Sequence, residues 1–148
     1  MEINKVNLED LEEIMRIENQ IFKQDSFSRQ MMKKLILRNS LFLKLIKRQK
    51  DPKIIGYITL IRSNRNTICI INFSIKKECQ NKGHGSYLLQ NTLELIKKFQ
   101  DIKKIILNVN IKNEIAIKVY KKFEFQIVKE IENYYSNHET AYLMEKIL

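Results

Sequence analysis

Gln80-Asn81-Lys82-Gly83-His84-Gly85-Ser86 links an apolar run, Thr67 to Ile75, to an amphipathic one, Gly85 to Phe99. The first run reads as a strand and the second as a helix, so a short loop with two glycines carries a strand into a helix start. That layout makes an anion site. The first turn of a helix leaves backbone N–H groups without partners, and its dipole favours negative charge there. Gly83 and Gly85 carry no Cβ, which lets a phosphate approach the backbone. Lys82 and the side chains of Gln80, Asn81 and Ser86 are further donors. The loop is not a Walker loop, because no Gly-Lys-Ser/Thr follows, nor a full G-x-G-x-x-G, because Leu88 stands at the third glycine's place. Taken alone, a G-x-G at a helix start is common to many nucleotide and phosphate sites, and an ordinary strand–helix turn is the plain alternative.

The rest of the chain bounds what such a site can serve. At 148 residues it is expected to form one domain, 1–148, long enough to bury its own core. Hydrophobic residues at 44% and charged residues at 30% fit a globular chain and argue against disorder. No apolar run reaches the length of a membrane span, and Met1–Asn4 opens straight into a structured pattern, so neither a membrane nor a signal peptide is expected. Cys69 and Cys79 lack C-x-x-C spacing and histidine partners; they read as free thiols of a reducing cytoplasm rather than as a metal site or disulfide. The net charge of +10 comes from scattered lysine pairs, with no aromatic-basic stripe of the RNA-binding kind. Solvated faces account for it, with room for a polyphosphate-bearing cofactor or for work near the ribosome; no specific nucleic acid is expected.

Along the chain, Asn7 predicts an N-cap, with Leu8, Leu11, Ile14, Met15, Glu18, Ile21 and Phe22 recurring at helical spacing behind it. Lys23–Phe27 is a polar connection, and Ser28 caps a second helix to about Arg38. Strands follow at Leu41–Ile46, Ile54–Ile61 and Thr67–Ile75, expected to form an antiparallel meander. After the glycine loop, Leu88, Leu89, Thr92, Leu93, Ile96 and Phe99 line one face of the central helix. Lys103–Val109 is then a strand reached by a crossover, and so parallel to Thr67–Ile75. A helix from about Glu114 to Lys122 and strands at Phe125–Ile131 and Thr140–Ile147 close the order. The expected fold class is α/β, a mixed sheet with helices on its faces in a single three-layer domain.

This order and these residues resemble the GNAT superfamily of acyl-CoA-dependent N-acetyltransferases. The cofactor pattern Gln/Arg-x-x-Gly-x-Gly/Ala stands intact as Gln80-Asn81-Lys82-Gly83-His84-Gly85. A second hallmark, Asn-x-x-Ala-x-x-x-Tyr-x-x-x-Gly-Phe, runs from Asn113 through Ala116 and Tyr120 to Phe125, with Glu124 in the glycine's place. Within the superfamily, Asn133-Tyr134-Tyr135-Ser136 followed by Thr140-Ala141-Tyr142-Leu143-Met144 is similar to the protein N-terminal α-amine acetyltransferases, which include the bacterial enzyme acting on a ribosomal protein and the archaeal and eukaryotic catalytic subunits.

The resemblance implies acetyl-CoA as co-substrate, lying where the Thr67–Ile75 and Lys103–Val109 strands splay apart, and no metal. Its pyrophosphate would sit on the N–H groups around Lys82, Gly83, His84, Gly85 and Ser86. The backbone of Phe73, Ser74 and Ile75 would pair with the pantetheine arm, and an N–H there would polarise the thioester carbonyl. Asn113 would add a polar contact to the cofactor, and Tyr134 and Tyr135 would cover the substrate's N-terminus. Tyr120 would give a proton to the departing thiolate, a role open to a phenol whose ordinary pKa is about 10. His84 is expected at the surface. The implied partners are protein or peptide N-termini, with the ribosome or an auxiliary subunit as further candidates.

Two departures qualify what the resemblance implies. Many of these enzymes carry a Glu as Leu-Glu-Val in the strand before the second motif, whereas Leu107-Asn108-Val109 stands here. A carboxamide is no general base. Three explanations stay open: Asn108 holds a water that relays the proton, a carboxylate from the first loop (Asp25 the nearest) serves instead, or little base strength is needed. An α-amine of pKa about 8 is roughly a fifth unprotonated at about pH 7.4, whereas a lysine is only about a thousandth, so a weak base suits α-amines better. At the second departure, a non-glycine residue in a left-handed cap costs about 1 kcal/mol, and the helix before Glu124 is expected to end differently from the family's. A small amine or a lysine side chain as acceptor is the nearest rival reading, and an acyl-CoA-binding subunit of weak activity is the next.

Overall fold

The computed structural model describes residues 1–38 and 41–148. Among the described residues, seven strands form one mixed sheet, and four α-helices accompany it: β1 (Glu2–Lys5), α1 (Leu11–Phe22), α2 (Arg29–Leu37), β2 (Leu41–Lys47), β3 (Lys53–Asn64), β4 (Thr67–Ile75), α3 (His84–Ile96), β5 (Lys104–Asn110), α4 (Glu114–Lys122), β6 (Gln126–Ile131) and β7 (Ala141–Ile147). The sheet order is β1-β2-β3-β4-β5-β7-β6. The expected mixed α/β architecture is the observed one. β1 is an addition to it: four residues with no clean alternation give no period-two signal, and its place comes from pairing with β2, Glu2 opposite Ile46 through Lys5 opposite Leu43.

By contact density the chain falls into two compact units, Met1–Leu60 with Asn72–Leu89, and Ile61–Ile71 with Gln90–Leu148. In the first unit, Asn7 caps the chain's first helical turn as the sequence predicts. Its side chain accepts from the Glu9 amide at 2.9 Å, while Asp10 accepts from the Asn7 amide at 2.9 Å, a reciprocal box. That turn is 3₁₀, Leu8–Asp10, and Leu8 is exposed; the α-helix proper starts at Leu11. Ser28 caps α2 by accepting from the Met31 amide at 3.1 Å. Leu11, Ile14 and Ile17 of α1, with Phe42 and Leu45 of β2 and Tyr57 and Ile58 of β3, are buried.

In the second unit β4 and β5 are parallel, as a crossover requires, with Thr67 opposite Lys104 through Ile70 opposite Leu107. The ladder stops there, although β4 continues to Ile75 and β5 to Asn110. β7 lies between β5 and β6, paired antiparallel to both. α3 ends at Ile96 rather than Phe99, which is exposed, because Lys98 and Phe99 close a tighter turn onto Leu95 and Ile96.

α4 ends in the left-handed manner in spite of Glu124. The Glu124 amide bonds the Lys121 carbonyl at 3.0 Å, and the Phe125 amide bonds the Tyr120 carbonyl at 3.0 Å, with Glu124 at φ 69°. This is the Schellman arrangement. The expectation of a different helix end is therefore corrected. Lys146 Nζ helps hold the strained residue, donating to the Phe123 carbonyl at 2.9 Å and to Glu124 Oε2 at 3.2 Å. Among the described residues, no helix is long and apolar enough to cross a membrane.

Candidate active site

The residues singled out in the sequence fall into two groups, one in each compact unit. In the first unit, the exit of β4 is fixed before the loop begins. The Lys76 amide donates to the Ile55 carbonyl at 2.7 Å, and Gln80 Nε2 donates back to the Ile75 carbonyl at 2.9 Å. Gln80 thus folds the loop onto the strand end. Asn81 at φ 61° and Gly83 at φ 82° turn the chain into α3, whose first intrahelical bond runs from the Tyr87 amide to the Gly83 carbonyl at 3.0 Å. The amides of His84, Gly85 and Ser86 precede that bond and belong to the first-turn donors that a helix leaves free.

The cradle fits an anion held on backbone. A Cβ on Gly83 would meet nothing within 4 Å, so the approach to the loop is open, while the positive φ itself selects glycine. A Cβ on Gly85 would come to 3.6 Å from Ile75 and 3.7 Å from Phe73. These contacts show that Phe73 and Ile75 face the α3 side of β4. Lys82 is exposed, and His84 is half-buried rather than at the open surface. The donor set (backbone amides, a lysine, small polar side chains) suits a diphosphate.

Alternation along β4 sends Asn72 and Ser74 to the opposite face, where α1 packs. There Glu18, which stands in the apolar stripe of α1, is 1% exposed. Its Oε1 accepts from the Tyr57 hydroxyl at 2.5 Å and from Asn72 Nδ2 at 2.7 Å, and its Oε2 accepts from the Phe27 amide at 2.8 Å. The Ser26 hydroxyl donates to the Glu18 carbonyl at 3.1 Å. None of the ion pairs among the described residues includes Glu18. Taking a carboxylate out of water without a cation costs on the order of several kcal/mol, offset in part by three donors. Thr59 Oγ1 and Asn72 Oδ1 are buried on β3 and β4 without hydrogen-bond partners, and the buried Ser74 hydroxyl lies against the Tyr57 phenol. Sequence reasoning placed Glu18 only by its helical spacing; a glutamate in an otherwise apolar stripe was the signal that could have found it.

One further close approach shapes β4. A Cβ on Gly56 would lie 2.5 Å from the Ser74 carbonyl oxygen, so glycine there lets β3 lie against the backbone of Ser74 and Ile75.

In the second unit, Asn108 Nδ2 donates to the Tyr134 hydroxyl at 3.3 Å, and Asn108 Oδ1 is buried without a partner. Tyr134 and Tyr135 meet edge to face with centroids 4.9 Å apart. Their loop is closed by the amides of both tyrosines on the Glu139 carbonyl, at 3.1 and 3.2 Å, and by positive φ at Asn133 and His138. Glu139 is held in turn by Asn110 and Lys112, and the Asn110 hydrogen bond, with Lys112 next, lowers its pKa. Tyr120 is buried and packs edge to face on Phe125 at 5.7 Å. Burial, with Tyr135 next, pushes its phenol above the ordinary range, so it keeps its proton at neutral pH. Asn113 Oδ1 caps α4 through the Ala116 amide at 3.2 Å, which leaves its amide nitrogen as the atom for a further contact. Asp25, the alternative carboxylate, is exposed at the end of a 3₁₀ turn.

Comparison with known proteins adds four findings. The acetyltransferase (GNAT) family pattern matches residues 8–125. An N-alpha-acetyltransferase of Sulfolobus acidocaldarius is 37% identical over 75 residues, covering 51% of this chain and 45% of that protein; the chain spans about half the length of this relative. Among solved structures, Ard1 from Thermoplasma volcanium superposes with a TM-score of 0.86 at 25% identity, over 99% of this chain and 97% of that one. The ribosomal-protein-S18-alanine N-acetyltransferase from Escherichia coli shares the fold, with a TM-score of 0.84 at 21% identity over 99% and 92% of the two chains.

Proposed function

The chain belongs to the acetyltransferase (GNAT) family, and from that premise we propose that it moves an acetyl group from acetyl-CoA to the N-terminal α-amine of proteins, by direct attack. The observation that carries this reading is the Gln80–Ser86 loop, folded onto the end of β4 with left-handed Asn81 and Gly83 opening the first turn of α3. The name of the Sulfolobus relative supports an α-amine acceptor, and the Tyr134–Tyr135 loop supports a peptide one. The family pattern and the solved folds support reading residues 1–148 as one acetyltransferase domain.

In this reading the amides of Lys82 to Ser86 bind the pyrophosphate, with Gln80 and Asn81 shaping the loop. The backbone of Phe73, Ser74 and Ile75 aligns the pantetheine arm as an added strand would, and an amide there polarises the thioester carbonyl. Acetyl-CoA supplies the activated acyl group. Tyr120, protonated at neutral pH, gives its proton to the leaving sulfur, and Asn113 adds an amide contact. Asn108 orients the Tyr134 hydroxyl instead of acting as a base. Replacing Asn108 by Glu should leave α-amine turnover nearly unchanged. The reading puts the work in the cytoplasm on nascent or ribosomal chains, with an auxiliary subunit as a further candidate partner.

The test is intact-mass analysis of peptides incubated with the protein and acetyl-CoA. The panel varies the first residue among Ala, Ser, Thr, Met and Glu and includes α-blocked, lysine-bearing controls. One acetyl group gained only on free N-termini is the expected result. Transfer to the blocked controls would establish a lysine acceptor, and no transfer with acetyl-CoA still bound would establish a small-amine enzyme or a subunit that needs a partner.

A further inference from the structure

The loop from Asn133 to His138 carries the two tyrosines proposed to cover the acceptor, and Glu139 at its base holds it with carbonyl, amide and carboxylate alike. The Glu139 carbonyl accepts from the amides of Tyr134 and Tyr135 at 3.1 and 3.2 Å, and its own amide donates to Asn137 Oδ1 at 3.1 Å. Those bonds close the loop on itself. The carboxylate reaches out of the loop: Oε2 accepts from Asn110 Nδ2, and Oε1 accepts from Lys112 Nζ at 3.1 Å. Asn110 is the last residue of β5 and stands opposite Ala141 of β7, so this contact fastens the loop to the sheet.

Asn108 and Asn110 are two residues apart on β5 and share a face of the sheet. The Tyr134 hydroxyl meets the first and the Glu139 carboxylate meets the second, which attaches the loop to one strand at two points. The two attachments differ in strength. The Asn108 contact is long at 3.3 Å, joins neutral groups and ends on a tyrosine 46% exposed. A hydrogen bond to a carboxylate is about twice as strong as a neutral one. The Lys112 side chain is 72% exposed, so solvent screens its ion pair, whereas that of Glu139 is 25% exposed. The Asn110–Glu139 bond is therefore the main fastening. We propose that Glu139, through Asn110, is the positioning residue for Tyr134 and Tyr135, and that it thereby selects a peptide acceptor over a short amine. This rests on the peptide-acceptor reading above and deepens it. A short amine ends before it reaches the loop, whereas the first residues of a peptide run beneath it. Once unfastened, the tyrosines would have to be ordered anew on each peptide, which weakens peptide binding and leaves the chemical step alone.

The test measures acetyl transfer by the full chain to a peptide that wild type acetylates and to the amide of that peptide's first residue alone. In Glu139→Ala the peptide KM should rise about fivefold or more. Its kcat, the KM for acetyl-CoA and kcat/KM for the single-residue amide should all stay within about twofold of wild type. Glu139→Gln keeps an acceptor for Asn110 and should restore most of the peptide KM, and Lys112→Ala should leave it near the wild-type value. Asn110→Ala should match Glu139→Ala, and the double variant should add nothing to either, as for two ends of one bond. An unchanged peptide KM would overturn the proposal. So would a fall in kcat or a loss shared by both acceptors, since a merely structural role gives those. If Glu139→Ala has no cooperative thermal unfolding, Asn110→Ala removes the same bond from the β5 side, and an unchanged peptide KM there would overturn the proposal equally. A wild type that acetylates no free N-terminus would overturn the acetyltransferase reading by itself. Calorimetry of the peptide on the CoA-bound chain then decides the fastening: weaker binding to Glu139→Ala sustains it, and equal binding, or none to wild type, overturns it.

Discussion

The Tyr57 hydroxyl donates to Glu18 Oε1 at 2.5 Å, joining the middle of β3 to the buried face of α1. Burial, and then the Glu18 charge, raises the Tyr57 phenol well above its ordinary value; burial also raises that of Tyr120. In the unfolded chain both phenols titrate near pH 10. Above that pH the unfolded state binds fewer protons than the folded one, so stability falls as pH rises. The stabilisation is fully present below about pH 10 and is lost above it, at up to about 1.4 kcal/mol per pH unit for each tyrosine. Urea unfolding between about pH 8 and pH 11 should show this, with Tyr57→Phe reducing the slope. Phenolate absorbance of the folded chain should come from the other tyrosines.

Gly56→Ala should cost about 1–3 kcal/mol, because the new methyl would overlap the Ser74 carbonyl and neither backbone can yield cheaply. The displaced strand is the one whose backbone is proposed above to align the pantetheine arm. The measurement is urea unfolding together with KM for acetyl-CoA. Raised KM is expected with the loss of stability, and an unchanged KM would separate Ser74's backbone from the cofactor.

Gly83→Ala tests the loop by conformation rather than by space. Nothing crowds the position, so the cost comes from φ 82° and amounts to about 1 kcal/mol of stability. Acetyl-CoA binding by calorimetry should fall more than that, since relaxing Gly83 would turn the first-turn amides of α3 away from the pyrophosphate proposed to sit there. Equal affinity would remove the loop from the cofactor site.

Glu124→Gly should stabilise the chain by up to about 1 kcal/mol, by relieving a left-handed non-glycine residue at the end of α4. The Lys146 contact it gives up is to an exposed carboxylate and contributes little. Lys146 keeps the Phe123 carbonyl. A rise in midpoint without change in acetyl transfer is the expected outcome in denaturant and activity assays.

What the sequence determined by itself is what short stretches of chain settle locally. Helix caps at Asn7 and Ser28 bond amides two or three residues away, so the residue types announce them. The strand–glycine loop–helix unit of residues 67–96 and the parallel crossover follow from periodicity and from the geometry of a chain that must pass through a helix to return. The tyrosine loop and the Asn113–Phe125 motif were legible for the same reason.

The tertiary structure alone decided the rest. β1 exists because β2 offers it an edge, and β7 lies between β5 and β6 because pairing partners are chosen in space. Glu124 adopts a glycine's conformation because the amides of Glu124 and Phe125 close the end of α4 on the Lys121 and Tyr120 carbonyls, with Lys146 of β7 on the Phe123 carbonyl. Glu18 reads in the sequence as one more residue of a helical stripe. Its partners Tyr57 and Asn72 are 39 and 54 residues away. Hydrogen bonds closed over such separations leave no local pattern; the folded backbone brings the groups together, and burial then turns an ordinary carboxylate into a costly one.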